Sequence, residues 1–158
     1  GNKDVYSSTA TLVTDTAYSA RYMGTRSVKI TSIESTDAPL TFDNHEITLA
    51  AGTGTESNVL TAKVTDTSDV ITAWYVDNKL IEVTADGSLY KGSYIVSGKT
   101  IAELDFTNKK LTFTASAASS GGTSTSTSGT RIYRVTVEGL RNGDIPLSTT
   151  AVVSVTGE

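Results

Sequence analysis

Apolar and polar residues alternate most clearly in two stretches of the chain. Residues 131–138 (RIYRVTVE) have the period of two that is typical of a strand with one buried face. Residues 71–82 (ITAWYVDNKLIE) hold the only tryptophan, Trp74, followed by a polar turn and an apolar return. This second pattern predicts a core strand that leads into a hairpin, with Thr72, Trp74 and Val76 on one face. Together the two stretches predict two packed β-sheets.

Shorter alternating runs follow one another through the rest of the chain. They cover residues 46–50, 58–64, 100–106, 110–115 and 150–155, and residues 89–96 form a further candidate strand whose pattern is irregular because Gly92 breaks it. Short strands at this regular spacing are typical of an antiparallel β-sandwich. Asn142-Gly143 predicts a tight hairpin turn, because both residue types readily take positive φ values. Residues 115–130 contain nothing larger than Thr, so they predict a mobile loop.

The first 42 residues form a separate segment. Its candidate strands are residues 9–14, 18–23 and 27–33. Because a few strands without a second sheet rarely hold together alone, we expect residues 1–42 to pack on the main sandwich at residues 43–158. The alternative is that they are the remnant of a neighbouring module. The predicted fold is therefore all-β, a sandwich of two antiparallel sheets with extra N-terminal strands.

Composition and charge limit the possible partners. Only 19% of the 158 residues are charged, and the abundant Ser and Thr suit a hydrated β surface. A net charge of −4 offers little attraction to a phosphate backbone, so we expect no nucleic-acid partner. No apolar run is long enough to span a bilayer.

The chemically reactive residues form no catalytic motif. His45 is the only histidine and there is no cysteine, which argues against a transition-metal site. A Ser-His-Asp triad would also need a nucleophile elbow, which the sequence lacks. We therefore expect His45 to be a solvated loop residue and the protein not to be an enzyme. Asp66 and Asp69 share one turn, so bound Ca²⁺ is an alternative to the absence of any cofactor.

The aromatic residues divide into a core group and a candidate surface group. Trp74 is expected between the sheets, and Tyr133 is expected to bond its hydroxyl to loop backbone, as in a tyrosine corner. The predicted core also contains four valines, Val135, Val137, Val153 and Val155. Tyr75, Tyr90 and Tyr94 are the candidate ligand-binding residues, on an exposed aromatic surface. The alternative is that these tyrosines are β-formers at strand edges.

The succession EITLAAG, VLTAKVT, ITAWYVDNKLI, KLTFTA, RIYRVTVEGLRNG and TTAVVSVTG resembles a bacterial immunoglobulin-like domain over residues 43–158. WYVDNK is similar to the W-Y-x-D-G-K third strand and turn of that family, with Asn78 in place of glycine. The resemblance implies an Ig-like sandwich, a secreted or bacterial cell-surface location, and a structural or adhesive role without catalytic residues.

We therefore expect a non-enzymatic module of an exported bacterial surface protein, acting as an adhesion or spacer unit. Its expected partner is a protein or a glycan at the cell surface, and a removed N-terminal segment is the expected place for a lipid anchor. One alternative is a carbohydrate-binding module that uses outward tyrosines. Another is a self-assembling pilus, tail or surface-layer subunit that pairs through an edge strand.

Overall fold

The alternating runs form strands, and the strands pair into two antiparallel sheets. The computed structural model describes residues 27–36 and 44–157. Its strands, in chain order, are β1 (Val28–Ser35), β2 (Ile47–Ala51), β3 (Val59–Val64), β4 (Val70–Val76), β5 (Lys79–Leu80), β6 (Thr84–Asp86), β7 (Leu89–Val96), β8 (Lys99–Asp105), β9 (Lys110–Phe113), β10 (Thr123–Ser124), β11 (Thr130–Arg141) and β12 (Ile145–Gly157). Two short 3₁₀ helices are Gly54–Glu56 and Ala115–Ala118. Within these described residues, no helix is long and apolar enough to cross a bilayer.

The two sheets form a sandwich, which confirms the predicted fold class. Sheet I has the order β2-β3-β9-β8-β7-β6, and sheet II has the order β1-β12-β11-β4-β5 with β10 also paired to β11. In the immunoglobulin arrangement, strands A, B, E and D form one sheet, and C, F and G form the other. Here β2, β3, β9 and β8 take the first set of positions, while β4, β11 and β12 take the second.

Both aromatic residues predicted for the core lie between the sheets. Trp74 and Tyr133 are fully buried, as are the four predicted valines on β11 and β12. The Tyr133 hydroxyl lies 2.6 Å from the carbonyl oxygens of both Ala117 and Ser120. Its ring centroid is 5.3 Å from that of Phe113 on the opposite sheet. Tyr133 therefore fills the core and also holds the segment before β10.

A β-bulge in β4 changes which residues of this strand face the core. The pairing of β11 with β4 shifts by one residue between Glu138 and Gly139, and the shift skips Thr72. Ile71 is therefore buried and Thr72 is exposed, so the prediction that Thr72 shares a face with Trp74 is wrong. At the bulge the backbones of β4 and β11 lie close together. Position 139 requires glycine, because a Cβ there would lie 2.4 Å from the carbonyl oxygen of Val70.

The predicted mobile loop at residues 115–130 packs against the sandwich. Its 3₁₀ helix places Ala117 in the core, fully buried. The Nη1 atom of Arg131 donates a hydrogen bond to the carbonyl oxygen of Gly121 at 2.9 Å. The prediction was wrong because contacts with β11, including the Tyr133 hydroxyl, hold a segment that has little apolar surface of its own.

Both predicted hairpin turns are present and use left-handed backbone. Asp77 and Asn78 have φ values of 51° and 67° between the paired residues Val76 and Lys79. Positive φ at both central positions defines the type I′ turn, whose twist suits a two-residue hairpin. Asn142 and Gly143, at 50° and 81°, turn the chain from β11 to β12.

The described part of the N-terminal segment belongs to sheet II. β1 pairs along β12, and Val28 is 3% exposed within the common core. The backbone N–H of Ile30 also donates to the carbonyl oxygen of Ser57 at 2.8 Å, which links β1 to the loop before β3. The candidate strands at residues 9–14 and 18–23 lie outside the described residues.

Candidate functional site

Several loops meet at one end of the sandwich. Residues 65–69 connect β3 to β4, residues 106–109 connect β8 to β9, and residues 142–144 connect β11 to β12. The first and last of these occupy the B–C and F–G positions of an immunoglobulin domain, which contact antigen in antibody variable domains. Because loops on a rigid sandwich tolerate variation, this end is a natural place for a binding site.

The first two of these loops border a cavity of about 440 Å³, which we call the loop-end pocket. It is lined by Val64, Thr67, Asp69, Val70, Ile71, Tyr90, Phe106, Thr107 and Lys109. Its size falls in the usual range for small-molecule sites. Apolar residues from both sheets line its interior, and two exposed side chains, Tyr90 and Val70, are 54% and 50% exposed. The pocket therefore presents accessible apolar surface beside polar groups.

Tyr90 is held firmly at the wall of the pocket. It lies on the same side of β7 as the buried Tyr94, but near the start of the strand, next to the β8–β9 loop. Its backbone N–H donates to the hydroxyl oxygen of Thr107 at 2.8 Å. Its carbonyl oxygen accepts a hydrogen bond from the Phe106 N–H at 2.9 Å. The backbone of Tyr90 is therefore fixed relative to the β8–β9 loop.

Asp69 is the buried carboxylate of the pocket and is 3% exposed. Its two oxygens lie 2.9 and 2.8 Å from Nδ1 of His45. One of them also accepts the backbone N–H of Asn142 at 3.1 Å. A buried carboxylate is costly unless its oxygens are paired, and these bonds supply that pairing. Asp69 thereby joins the β3–β4 loop to the β11–β12 turn and to the segment before β2.

His45 corrects the expectation of a solvated loop residue. Its side chain is only 16% exposed, and its Nε2 atom lies 3.6 Å from a carboxylate oxygen of Asp66. With Nδ1 on Asp69, both ring nitrogens face carboxylates, so the ring belongs to a structural network. The hydroxyl and backbone N–H of Ser68 hold the pKa of Asp66 below its ordinary value. His45 lies 24 residues from Asp69 in sequence, and no local pattern signals their contact.

The three candidate tyrosines do not share a surface. Tyr75 lies on the outer face of sheet II, where the nearby Glu138 carboxylate raises the pKa of its hydroxyl. Tyr94 is 7% exposed; burial raises the pKa of its hydroxyl, and a hydrogen bond to Asp77 adds to the shift. Tyr94 was expected on an exposed surface, but its position on β7 turns it into the core. Tyr90 alone of these three lines the pocket.

Apart from Tyr90 and Asp69, the residues that line the pocket were not predicted as site residues. Phe106 ends one of the predicted strands, residues 100–106, and Val70 precedes the predicted core strand. Each has an ordinary sequence environment, and only the packing of the two sheets brings them together. Among residues 27–36 and 44–157, no three His, Cys, Asp or Glu residues are grouped to hold a metal ion.

Comparisons of this chain with protein-family models, with curated proteins and with solved structures found no match.

Proposed function

We propose that this chain is a non-enzymatic, immunoglobulin-like module of an exported bacterial surface protein and that it acts as an adhesion unit. The observation that carries the proposal is the loop-end pocket, where an exposed tyrosine and valine lie beside a buried carboxylate. A spacer needs no such pocket, so its presence favours adhesion over spacing. The Ser- and Thr-rich surface and the resemblance to bacterial Ig-like domains support export to the cell surface.

Charge and rigidity support binding at this end. The pocket combines one carboxylate, Asp69, with the ammonium of Lys109, so it suits a polar ligand of little net charge. The bonds from Tyr90 to the β8–β9 loop and from Asp69 to the β11–β12 turn fix the walls before a ligand arrives. Preorganised sites lose less conformational entropy on binding, which increases affinity.

The proposal is tested by binding of the immobilised full chain to arrays of glycans and of extracellular proteins. We expect at least one saturable partner whose binding is lost in Tyr90→Ala. The matched control is Ile95→Ala, because Ile95 is 52% exposed on the same strand and does not line the pocket. Equal binding by both variants, or no partner on either array, would contradict an adhesive role at the loop end.

A second candidate function is self-assembly, and the position of β1 favours it. Within the described residues, β1 is the terminal strand of sheet II and pairs with only β12. An edge strand of eight residues can accept a strand from another copy by β-augmentation. Light scattering over a wide concentration range tests this idea. Dimers or larger species that grow with concentration would support it, and a monomer throughout would exclude it.

A further inference from the structure

We infer that the loop-end pocket binds a pyranose ring of a glycan, stacked on Tyr90. This inference rests on the proposed adhesive function and adds the chemical class of the ligand. It is carried by the combination of a half-exposed aromatic side chain, whose backbone is hydrogen-bonded to the β8–β9 loop, with polar groups in the same lining.

The apolar wall suits one face of a sugar ring. A pyranose presents a face of C–H groups that packs on an aromatic ring, and burial of that face removes apolar surface from water. Tyr90 offers a ring that is 54% exposed, and Phe106 and Ile71 continue the apolar lining towards the core. A cavity of about 440 Å³ admits one or two such rings rather than a long chain.

The polar lining suits the rim of the same ligand. Hydroxyl groups both donate and accept hydrogen bonds, so they need both kinds of partner. The Asp69 side chain is 0% exposed, so it contributes negative charge to the pocket while its oxygens stay bonded to His45 and Asn142. Lys109 provides donors. The Thr107 hydroxyl oxygen accepts the Tyr90 N–H, which leaves one lone pair and the hydroxyl proton for a ligand.

An apolar peptide side chain would match this pocket less well. It would cover Tyr90 and Val70, but it would also bury the polar groups of Thr107 and Lys109 without offering them partners, which is unfavourable. A ligand with one apolar face and a hydroxylated rim satisfies both parts of the lining. A glycan therefore fits better than a protein side chain.

The test is a titration of the full chain with the oligosaccharides that bind most strongly on a glycan array. We expect saturable binding that weakens by about tenfold or more in Tyr90→Ala, the loss expected of a central aromatic contact. Tyr90→Phe should bind within about twofold of the unchanged chain, because stacking needs the ring and not the hydroxyl. Ile95→Ala should bind as tightly as the unchanged chain. Circular dichroism spectra of the three variants check that each one is folded.

The outcomes separate this inference from the proposed function. If no glycan binds but an extracellular protein binds and Tyr90→Ala abolishes that binding, the glycan inference falls and the adhesive function stands. If a glycan binds with equal strength to Tyr90→Ala, stacking in this pocket is excluded. If neither array yields a partner, both fall.

Discussion

At the residue scale, Tyr133 shows how one side chain can serve both core and loop. Burial raises the pKa of its hydroxyl well above the ordinary value of 10.0. The same hydroxyl reaches the carbonyl oxygens of Ala117 and Ser120. The ordered conformation of residues 115–122 thus depends on an atom outside that segment. This is the physical reason that composition alone mispredicted it.

We expect Tyr133→Phe to lower the free energy of unfolding by about 1 kcal/mol, the usual net value of one buried hydrogen bond. Urea denaturation measures this change. Tyr75→Phe is the matched control, because Tyr75 lies on the outer face of its sheet, and we expect it to change stability by less than about 0.5 kcal/mol. Equal losses in the two variants would contradict the assigned role of the Tyr133 hydroxyl.

The pH dependence of stability provides a further prediction for Tyr133. Its folded pKa is raised, so the folded state keeps the proton that the unfolded chain releases near pH 10. The stabilising contribution is therefore complete below pH 10 and declines as the pH rises through the folded pKa. Unfolding midpoints measured between pH 8 and 11 should fall less steeply in Tyr133→Phe than in the unchanged chain. If the unfolding midpoints of both proteins fall equally steeply with pH, the raised pKa of Tyr133 does not contribute to stability.

At the element scale, the bulge in β4 depends on a residue of the neighbouring strand. We expect Gly139→Ala to lower the free energy of unfolding by about 2 kcal/mol, since the new Cβ would overlap the Val70 carbonyl oxygen at 2.4 Å. Gly157→Ala is the control, because its Cβ would meet nothing closer than 3.4 Å. The thermal unfolding midpoints of the two variants test this prediction. Similar midpoints would contradict it, because they would show that the strands shift to make room for the new Cβ.

The hairpin turn after β4 gives a second prediction at this scale. Asn78 has a φ of 67°, a conformation that glycine adopts without steric cost and alanine does not. We expect Asn78→Ala to cost about 1 kcal/mol in the free energy of unfolding and Asn78→Gly to change it by less than about 0.5 kcal/mol. Chemical denaturation distinguishes them. A loss of similar size in both variants would mean that the Asn78 side chain, and not its backbone, matters.

Whether a strand, turn or bulge could be predicted depends on how far apart along the sequence the interacting residues lie. The period of two along β11 and β12 and the turn residues at Asn142-Gly143 are local signals, and the strands appear where they predict them. The bulge at Thr72 depends on close approach to a strand more than sixty residues away, and no local pattern encodes it. The irregular pattern of β7 likewise does not show which of its faces is buried, and only the packing of the two sheets places Tyr94 in the core.

At the scale of the whole molecule, Asp69 ties distant segments into one loop end. We expect His45→Ala to lower the free energy of unfolding by about 2 kcal/mol, because it leaves a buried carboxylate without its ring partner. Lys63→Ala, on the exposed outer face of sheet I, is the control and should be nearly neutral. Urea midpoints measure both, and a neutral His45→Ala would contradict the structural role of the network.

The candidate site was harder to predict than the fold because it is assembled across the sandwich. The sequence points to Tyr90 as a candidate ligand-binding residue and to the Asp66–Asp69 turn as a candidate Ca²⁺ site. Nothing in the sequence indicates that the two lie close together. Their shared pocket arises from the meeting of the β3–β4 and β8–β9 loops at one end of the sandwich and from the bond that joins the Tyr90 backbone to the β8–β9 loop. Neither cause has a signal within a window of a few residues.

The central claim is that the partner binds at the loop end, and amide chemical shifts recorded during titration with the strongest array partner test it most directly. The account predicts that the shifted amides cluster at residues 64–71, 90 and 106–109, with little change on the outer faces of the sheets. Shifts concentrated around Tyr75 on sheet II, or along β1, would contradict it and move the binding surface elsewhere.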